Sequence, residues 1–297
     1  MRITNNIIVQ SQLDGLQSNL TALNKAQTQA TTGKRLTAAS DDPGAAATIM
    51  RSASSLRAIA QYKATVSRAS DRIAAEDTTL QQLQDLLTRA KQIAVQQGSD
   101  NSSAATRAAA AAEVGGLLQS AVQLGNTKFG NEYLFGGDAA NTAPFATTGS
   151  GGAVAYTSNN PTGQRTVQIG DGQSMTISHD GTQVFVSTGA LDALQNLQNA
   201  LASGDPDSVR LSADSLDSSF DNVQGIVGDV GSEGNRLDMT SANLDAFEGT
   251  VTNLKSDLED VDYETAITDL MSRQTAYQAA MLATTKVMGL TLTDYLR

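Results

Sequence analysis

Cysteine and tryptophan are absent from this 297-residue chain, and histidine occurs once, as His179. Without cysteine there is no disulfide, no thiolate nucleophile and no sulfur-ligated metal. A lone histidine cannot build a His-Glu-x-x-His zinc site. A serine triad would have to recruit His179, and no Gly-x-Ser-x-Gly elbow is present. Thr32-Gly33-Lys34 lacks the other glycine of a phosphate-binding loop. Aromatic residues make up only 4% of the chain, which is thin for a compact core and ordinary for long packed helices. No stretch approaches the roughly eighteen consecutive apolar residues of a membrane span. Ile7-Ile8-Val9 is too short for the apolar region of a secretory signal. The expectations are therefore no enzyme activity, no metal, no cofactor, no membrane contact, and either an interior location or export without a cleaved signal peptide.

Charge is unevenly distributed. Residues 1–100 carry eleven Lys/Arg against eight Asp/Glu, residues 101–200 three against six, and residues 201–297 six against seventeen. An acidic last third would repel nucleic acid, so no nucleic-acid partner is expected.

What the chain does have is helical periodicity. From Phe247 the apolar residues Val251, Leu254, Leu258 and Val261 alternate four and three apart. Tyr263, Ile267, Leu270, Tyr277, Met281, Met288 and Tyr295 continue that spacing, interrupted by polar Gln274, Thr284 and Thr291. Leu292 carries the apolar stripe toward the end of the chain. A repeat averaging 3.5 residues puts one narrow stripe on one helix face. A single helix of about fifty residues would span roughly 75 Å and would need a partner to cover its stripe. Leu13, Leu16, Leu20 and Leu23 repeat the spacing near the other end, which predicts a helix over about 6–30 and a paired arrangement of the two termini. The interrupted stripes make an isolated terminal pair marginal.

Between them, Asp42-Pro43 predicts the cap and first turn of a helix running to about Gln97. Along it Ile59, Val66, Ile73, Leu80, Leu87 and Ala94 fall seven apart, with Tyr62, Ala69, Glu76, Leu83 and Ala90 three positions on. Glu76 is thus a polar station in an apolar seam. Ser103 starts an alanine-rich helix, and Asp205-Pro206 starts another after one beginning near Ala190. Gly225, Gly228, Gly231 and Gly234 predict a loosened or kinked helix or a close contact through a small face. Short alternating runs at Val154–Tyr156, Val167–Ile169, Met175–Ile177 and Val184–Val186, separated by turn residues, predict a small antiparallel β module. His179, beside Asp180-Gly181, is expected at an exposed hairpin turn, and the acids Asp257, Glu259, Asp260, Asp262 and Glu264 on a solvated helix face. The predicted class is mainly α: an elongated helical hairpin or bundle with paired N- and C-terminal coiled-coil helices and an antiparallel β insert. The predicted segments are a terminal helical domain from 1–42 and 256–297, an inner helical domain from 43–137 and 190–255, and an insert at 138–189.

Several segments together carry a resemblance. They are Met1-Arg2-Ile3-Thr4; Thr32-Gly33-Lys34-Arg35-Leu36; Ala39-Ser40-Asp41-Asp42-Pro43-Gly44-Ala45; Asn131-Glu132-Tyr133-Leu134-Phe135-Gly136-Gly137; Asn235-Arg236-Leu237-Asp238; and Tyr295-Leu296-Arg297. The chain resembles the flagellin and hook-associated protein family of the bacterial flagellum, and within it the members at the hook–filament junction. The resemblance covers about the first 137 and last 110 residues. It implies an extracellular structural subunit, exported through the flagellar type III apparatus, that forms a ring between hook and filament beneath flagellin. A short flagellin that forms the filament itself is the alternative. The implied partners are the first hook-associated protein, flagellin, further copies of the chain and a flagellar export chaperone. The expected assembly residues are Leu13, Leu16, Leu20, Leu23, Leu270, Tyr277, Met281, Met288, Leu292 and Tyr295.

Overall fold

The computed structural model describes the backbone of residues 2–99, 102–149 and 153–295, and the side chains within that set except at 2–6, 8 and 287–295. Six long helices dominate: α1 (Arg2–Thr32), α2 (Pro43–Gln97), α3 (Ala104–Gly125), α4 (Ala190–Ser203), α5 (Pro206–Glu259) and α6 (Tyr263–Tyr295). Their ends follow local chemistry. The Asp42 carboxylate accepts from the Ala45 amide ahead of α2, the Ser103 hydroxyl accepts from the Thr106 amide ahead of α3, and Asp205 accepts from the Asp207 and Ser208 amides ahead of α5. Gly204, in the left-handed region at φ 76°, closes α4.

The chain divides into two compact units, one of residues 1–58 and 246–297, the other of residues 59–245. In the second unit the seven-residue seam of α2 is buried from Ile59 to Ala94, with Leu80, Leu83 and Ala90 fully enclosed. On α5, Val209, Leu216, Val223, Val230 and Leu237 are likewise buried and fall seven apart. Val114, Leu118 and Ala121 of α3 and Leu191, Leu194, Leu197 and Leu201 of α4 complete the helical part of this core. The glycine series does not break α5, which is continuous. A side chain at Gly225, Gly228 or Gly231 would meet nothing, and at Gly234 only Ile73 at 3.7 Å, so the expected close contact through a small face is not found along these glycines.

The β residues form three separate hairpins rather than one module. They are β1 (Lys128–Phe129) with β2 (Glu132–Tyr133), β3 (Phe145–Thr148) with β4 (Ala155–Ser158), and β5 (Thr166–Gly170) with β6 (Gln173–Thr176), all antiparallel. The predicted strand at Val184–Val186 is instead a π-helical turn, Thr182–Ser187, that buries Val184 and Phe185. Asp180 does not make a hairpin turn there; its carboxylate accepts from the Gln183 amide at 2.8 Å and starts that turn. Phe135 and Phe145 stand edge-on to Phe185, with ring centroids 5.2 and 5.4 Å away. These rings, with Leu134, Val154, Ile169, Met175 and Ile177, belong to the same apolar cluster as the helical seams. Gly125 at the end of α3 lets Phe145 in, since a Cβ there would lie 2.6 Å from the ring. Hairpins this small cannot bury an apolar face by themselves, so they borrow the core of the bundle.

Candidate assembly interface

The first unit is built on α1 and α6, which pack along one another. The expected fifty-residue helix from Phe247 is interrupted. α5 ends at Glu259, residues 260–262 cross over, and α6 begins at Tyr263, its first amides at Glu264 and Thr265 capped by the Asp262 carboxylate. The interruption is where the end of α1 is tied down. The Arg35 amide donates to the Glu259 carbonyl (2.7 Å), the Val261 amide to the Gly33 carbonyl (2.9 Å), and the Arg35 guanidinium to the Leu258 carbonyl (2.8 Å). Lys34 pairs with Glu259, which Lys255 also approaches, and Lys34 bridges Asp260 in antiparallel fashion. Those contacts hold the Glu259 carboxyl below its usual range, the Lys34 hydrogen bond first among the causes. Gly33 is required here twice over. Its φ is 69°, and a Cβ would stand 2.9 Å from the Tyr263 hydroxyl.

The acidic run is therefore only partly a solvated helix face. Glu259 and Asp260 make the bridge and Asp262 caps a helix, roles that a charge count does not reveal. Nearby, Asp41 closes the turn before α2. Its carboxylate accepts from Lys25 (2.7 Å), from the Thr37 and Ala38 amides and from the Thr37 hydroxyl, and the Lys25 contact leads in lowering its pKa to about 2.

The expected assembly stripe is half covered. Leu16, Leu23, Leu270 and Tyr277 are half-buried, whereas Leu13, Leu20 and Met281 keep 44%, 40% and 46% of their surface exposed. The side chains of Met288, Leu292 and Tyr295 lie outside the described residues. The most enclosed positions on α1 and α6 are small: Ala26, Ala266 and Thr284, whose hydroxyl donates to the Ala280 carbonyl. Thr284, predicted to interrupt the stripe, thus sits at a close approach. Ile267, Met271 and Leu282 add further exposed apolar surface on α6.

His179 corrects another expectation. It is not at an exposed turn; its side chain is 13% exposed, with Nδ1 2.8 Å from Oε1 of buried Glu76. That hydrogen bond, the leading cause, raises the imidazole pKa against the opposing effect of burial, and Glu76, Glu233 and Asp229 add to the rise. Glu233 occupies on α5 the seam position that Glu76 occupies on α2, three residues after a buried apolar position. Burial raises its carboxyl pKa. Two acids at seam positions and one histidine in the chain were the available signal, although sequence reading singled out only Glu76. Among the described residues no group of His, Cys, Asp and Glu is placed to hold a metal ion, and no helix is long and apolar enough to cross a membrane.

Residues 3–140 match the profile of the bacterial flagellin N-terminal helical region, and residues 213–296 that of the bacterial flagellin C-terminal helical region, together about three quarters of the chain. The chain belongs to the flagellin family. Within it, the chain is 27% identical over 322 aligned positions to flagellar hook-associated protein 3 of Escherichia coli K12 and 26% identical to that of Salmonella typhimurium LT2, each alignment covering 98% of both chains. Two solved structures share the fold. One, provisionally assigned as a flagellar hook-associated protein of Vibrio parahaemolyticus, has a TM-score of 0.66 at 21% identity, covering 74% of this chain and all of that one. The other, FlgL of Bacillus cereus, has a TM-score of 0.59 at 22% identity, covering 69% and 99%. The matched regions are the two helical ends. The unmatched stretch between them, residues 141–212, holds the hairpins β3–β6, the π-helical turn and α4.

Proposed function

We propose that this chain is the structural subunit of the hook–filament junction of the bacterial flagellum, assembling as a ring beneath flagellin. The observation that carries this reading is the full-length correspondence to hook-associated protein 3, which runs through the middle of the chain as well as its helical ends. It favours the junction over the alternative of a short flagellin, whose likeness need extend only to the ends. The incompletely covered stripe on α1 and α6 supports an assembling role, because exposed apolar surface gains little in a monomer and much when neighbours cover it.

In this proposal the segments 1–42 and 256–297 make the axial contacts, 43–137 and 190–255 the lateral ones, and 138–189 faces outward. Leu13, Leu16, Leu20, Leu23, Leu270, Tyr277, Met281, Met288, Leu292 and Tyr295 form the assembly surface. The partners are the first hook-associated protein, flagellin and further copies, with an export chaperone holding the C-terminal stripe before secretion without a cleaved signal. Electron microscopy of the hook–filament boundary in cells lacking the protein tests the junction reading: hooks without attached filaments are expected, and normal filaments would overturn it. Seeded growth of long filaments from the purified chain would favour the flagellin alternative. Met288→Asp combined with Leu292→Asp tests the surface: motility and filament attachment should be lost while circular dichroism of the monomer is retained.

A further inference from the structure

In the second unit a cavity of about 300 Å³ opens between α2 and the hairpins, lined by Arg68, Arg72, Arg165, Glu132 and an apolar floor that includes Val167 and Ile177. Arg72 is 6% exposed, yet no carboxylate is bonded to it. One Nη donates to the Leu134 carbonyl, and the buried Nε–H has no partner. Arg68 gives its Nε–H to the Ala64 carbonyl of its own helix at 3.2 Å. Arg165 pairs with Glu132 at the rim, where both are well exposed. Three guanidinium groups therefore line the cavity against one carboxylate. Burial lowers the Arg72 pKa first, and the Arg165 charge lowers it further, with Glu76 and Glu132 only partly offsetting them. Keeping a guanidinium out of water without a carboxylate partner is costly, and the cost is offset when an anion sits beside its charge.

We propose that this cavity is a binding site for a single oxyanion group, phosphate or carboxylate, held among the Arg68, Arg72 and Arg165 guanidinium groups that line it. Planar guanidinium donors match the oxygens of either group. Glu132 competes for Arg165, so it weakens the site and keeps it selective for anions strong enough to share that arginine. The oxyanion can come free from solution or as an acidic side chain of a second copy, whose last third is strongly acidic. The site does not depend on the junction assignment.

The test is titration of the full chain with inorganic phosphate at constant ionic strength, read on the arginine Nε–H resonances by NMR. Saturable shifts are expected. Arg165→Gln should weaken binding by about tenfold or more, the loss of one charge-assisted contact. Glu132→Gln should tighten it by freeing Arg165. Both positions are exposed, so folding, checked by circular dichroism, should survive even where Arg72→Gln fails to fold. Sedimentation distinguishes the sources: self-association of the wild type that phosphate competes away, and that Arg165→Gln abolishes, identifies a carboxylate of a second copy. Phosphate binding without self-association identifies a free anion. Absence of saturable shifts, or the same response in wild type and Arg165→Gln, overturns the site.

Discussion

The two units use the same repeat and end in opposite conditions. In residues 59–245, the seven-residue seams of α2 and α5 are closed over by α3, α4 and the hairpins, and even the seam acid Glu76 is buried. In residues 1–58 and 246–297, α1 and α6 carry a comparable spacing, but only α1 and α6 share it between them, and Leu13, Leu20 and Met281 stay exposed. The repeat specifies that a stripe exists. Whether the stripe is satisfied depends on how many elements surround the helix. The first unit therefore keeps part of its stripe exposed, whereas the α2 and α5 seams of the second are covered.

The comparison breaks most severely if the hairpins are removed. Replacing residues 140–187 with a glycine–serine linker takes out Phe145, Val154, Ile169, Met175, Ile177, Val184 and Phe185, all buried in the shared core. Loss of cooperative unfolding in urea is expected. A variant that unfolds with wild-type cooperativity would show that the hairpins are a module apart. On a smaller scale, Phe145→Ala should cost about 3–5 kcal/mol and Leu83→Ala about 2–5 kcal/mol, measured by chemical denaturation. Leu20→Ala in α1, by contrast, should change monomer stability by no more than about 0.5 kcal/mol. Equal costs at Leu83 and Leu20 would erase the distinction between the units.

The buried polar station offers a test with a sign. His179 binds its proton more tightly in the folded state, so its contribution is full below the unfolded value near 6.5 and is lost as pH rises through the higher folded value. Glu233, also raised, acts in the same sense from 4.5 upward. Stability of the second unit should therefore fall with rising pH above about 6.5, and His179→Gln should flatten that slope in urea titrations at several pH values. A slope unchanged by the substitution would mean that other groups set it.

Finer effects concern the first unit. Gly33→Ala forces a left-handed alanine, at roughly 1–2 kcal/mol, against the Tyr263 hydroxyl. Faster hydrogen exchange at the Arg35 and Val261 amides is the expected readout, with the second unit unaffected. In the unmodified monomer, amides of 1–40 and 260–297 should exchange faster than those of α2 between 59 and 97. Equal protection would mean that α1 and α6 are stable without partners.

The sequence by itself determined the helices, because helix formation and capping are local: Pro43–Gln97, the Ser103 cap and the Asp205-Pro206 start could be read from neighbouring residues alone. The seam of α2 was legible for the same reason, since a period of 3.5 is written along one element. Tertiary structure decided what depends on residues far apart in the chain. The break at 260–262 answers to Gly33 and Arg35, more than 220 positions away, and the only local mark is the Asp262 cap, which a run of acids conceals. Val184–Val186 alternates like a strand and still turns as a π-helix, because Phe185 is drawn into a core shared with Phe135 and Phe145. His179 looked like a turn residue until its ring nitrogen met a carboxylate 103 positions earlier. Apolar periodicity records which side of a helix must be covered, but only the folded chain decides which side is covered and which is left for another molecule.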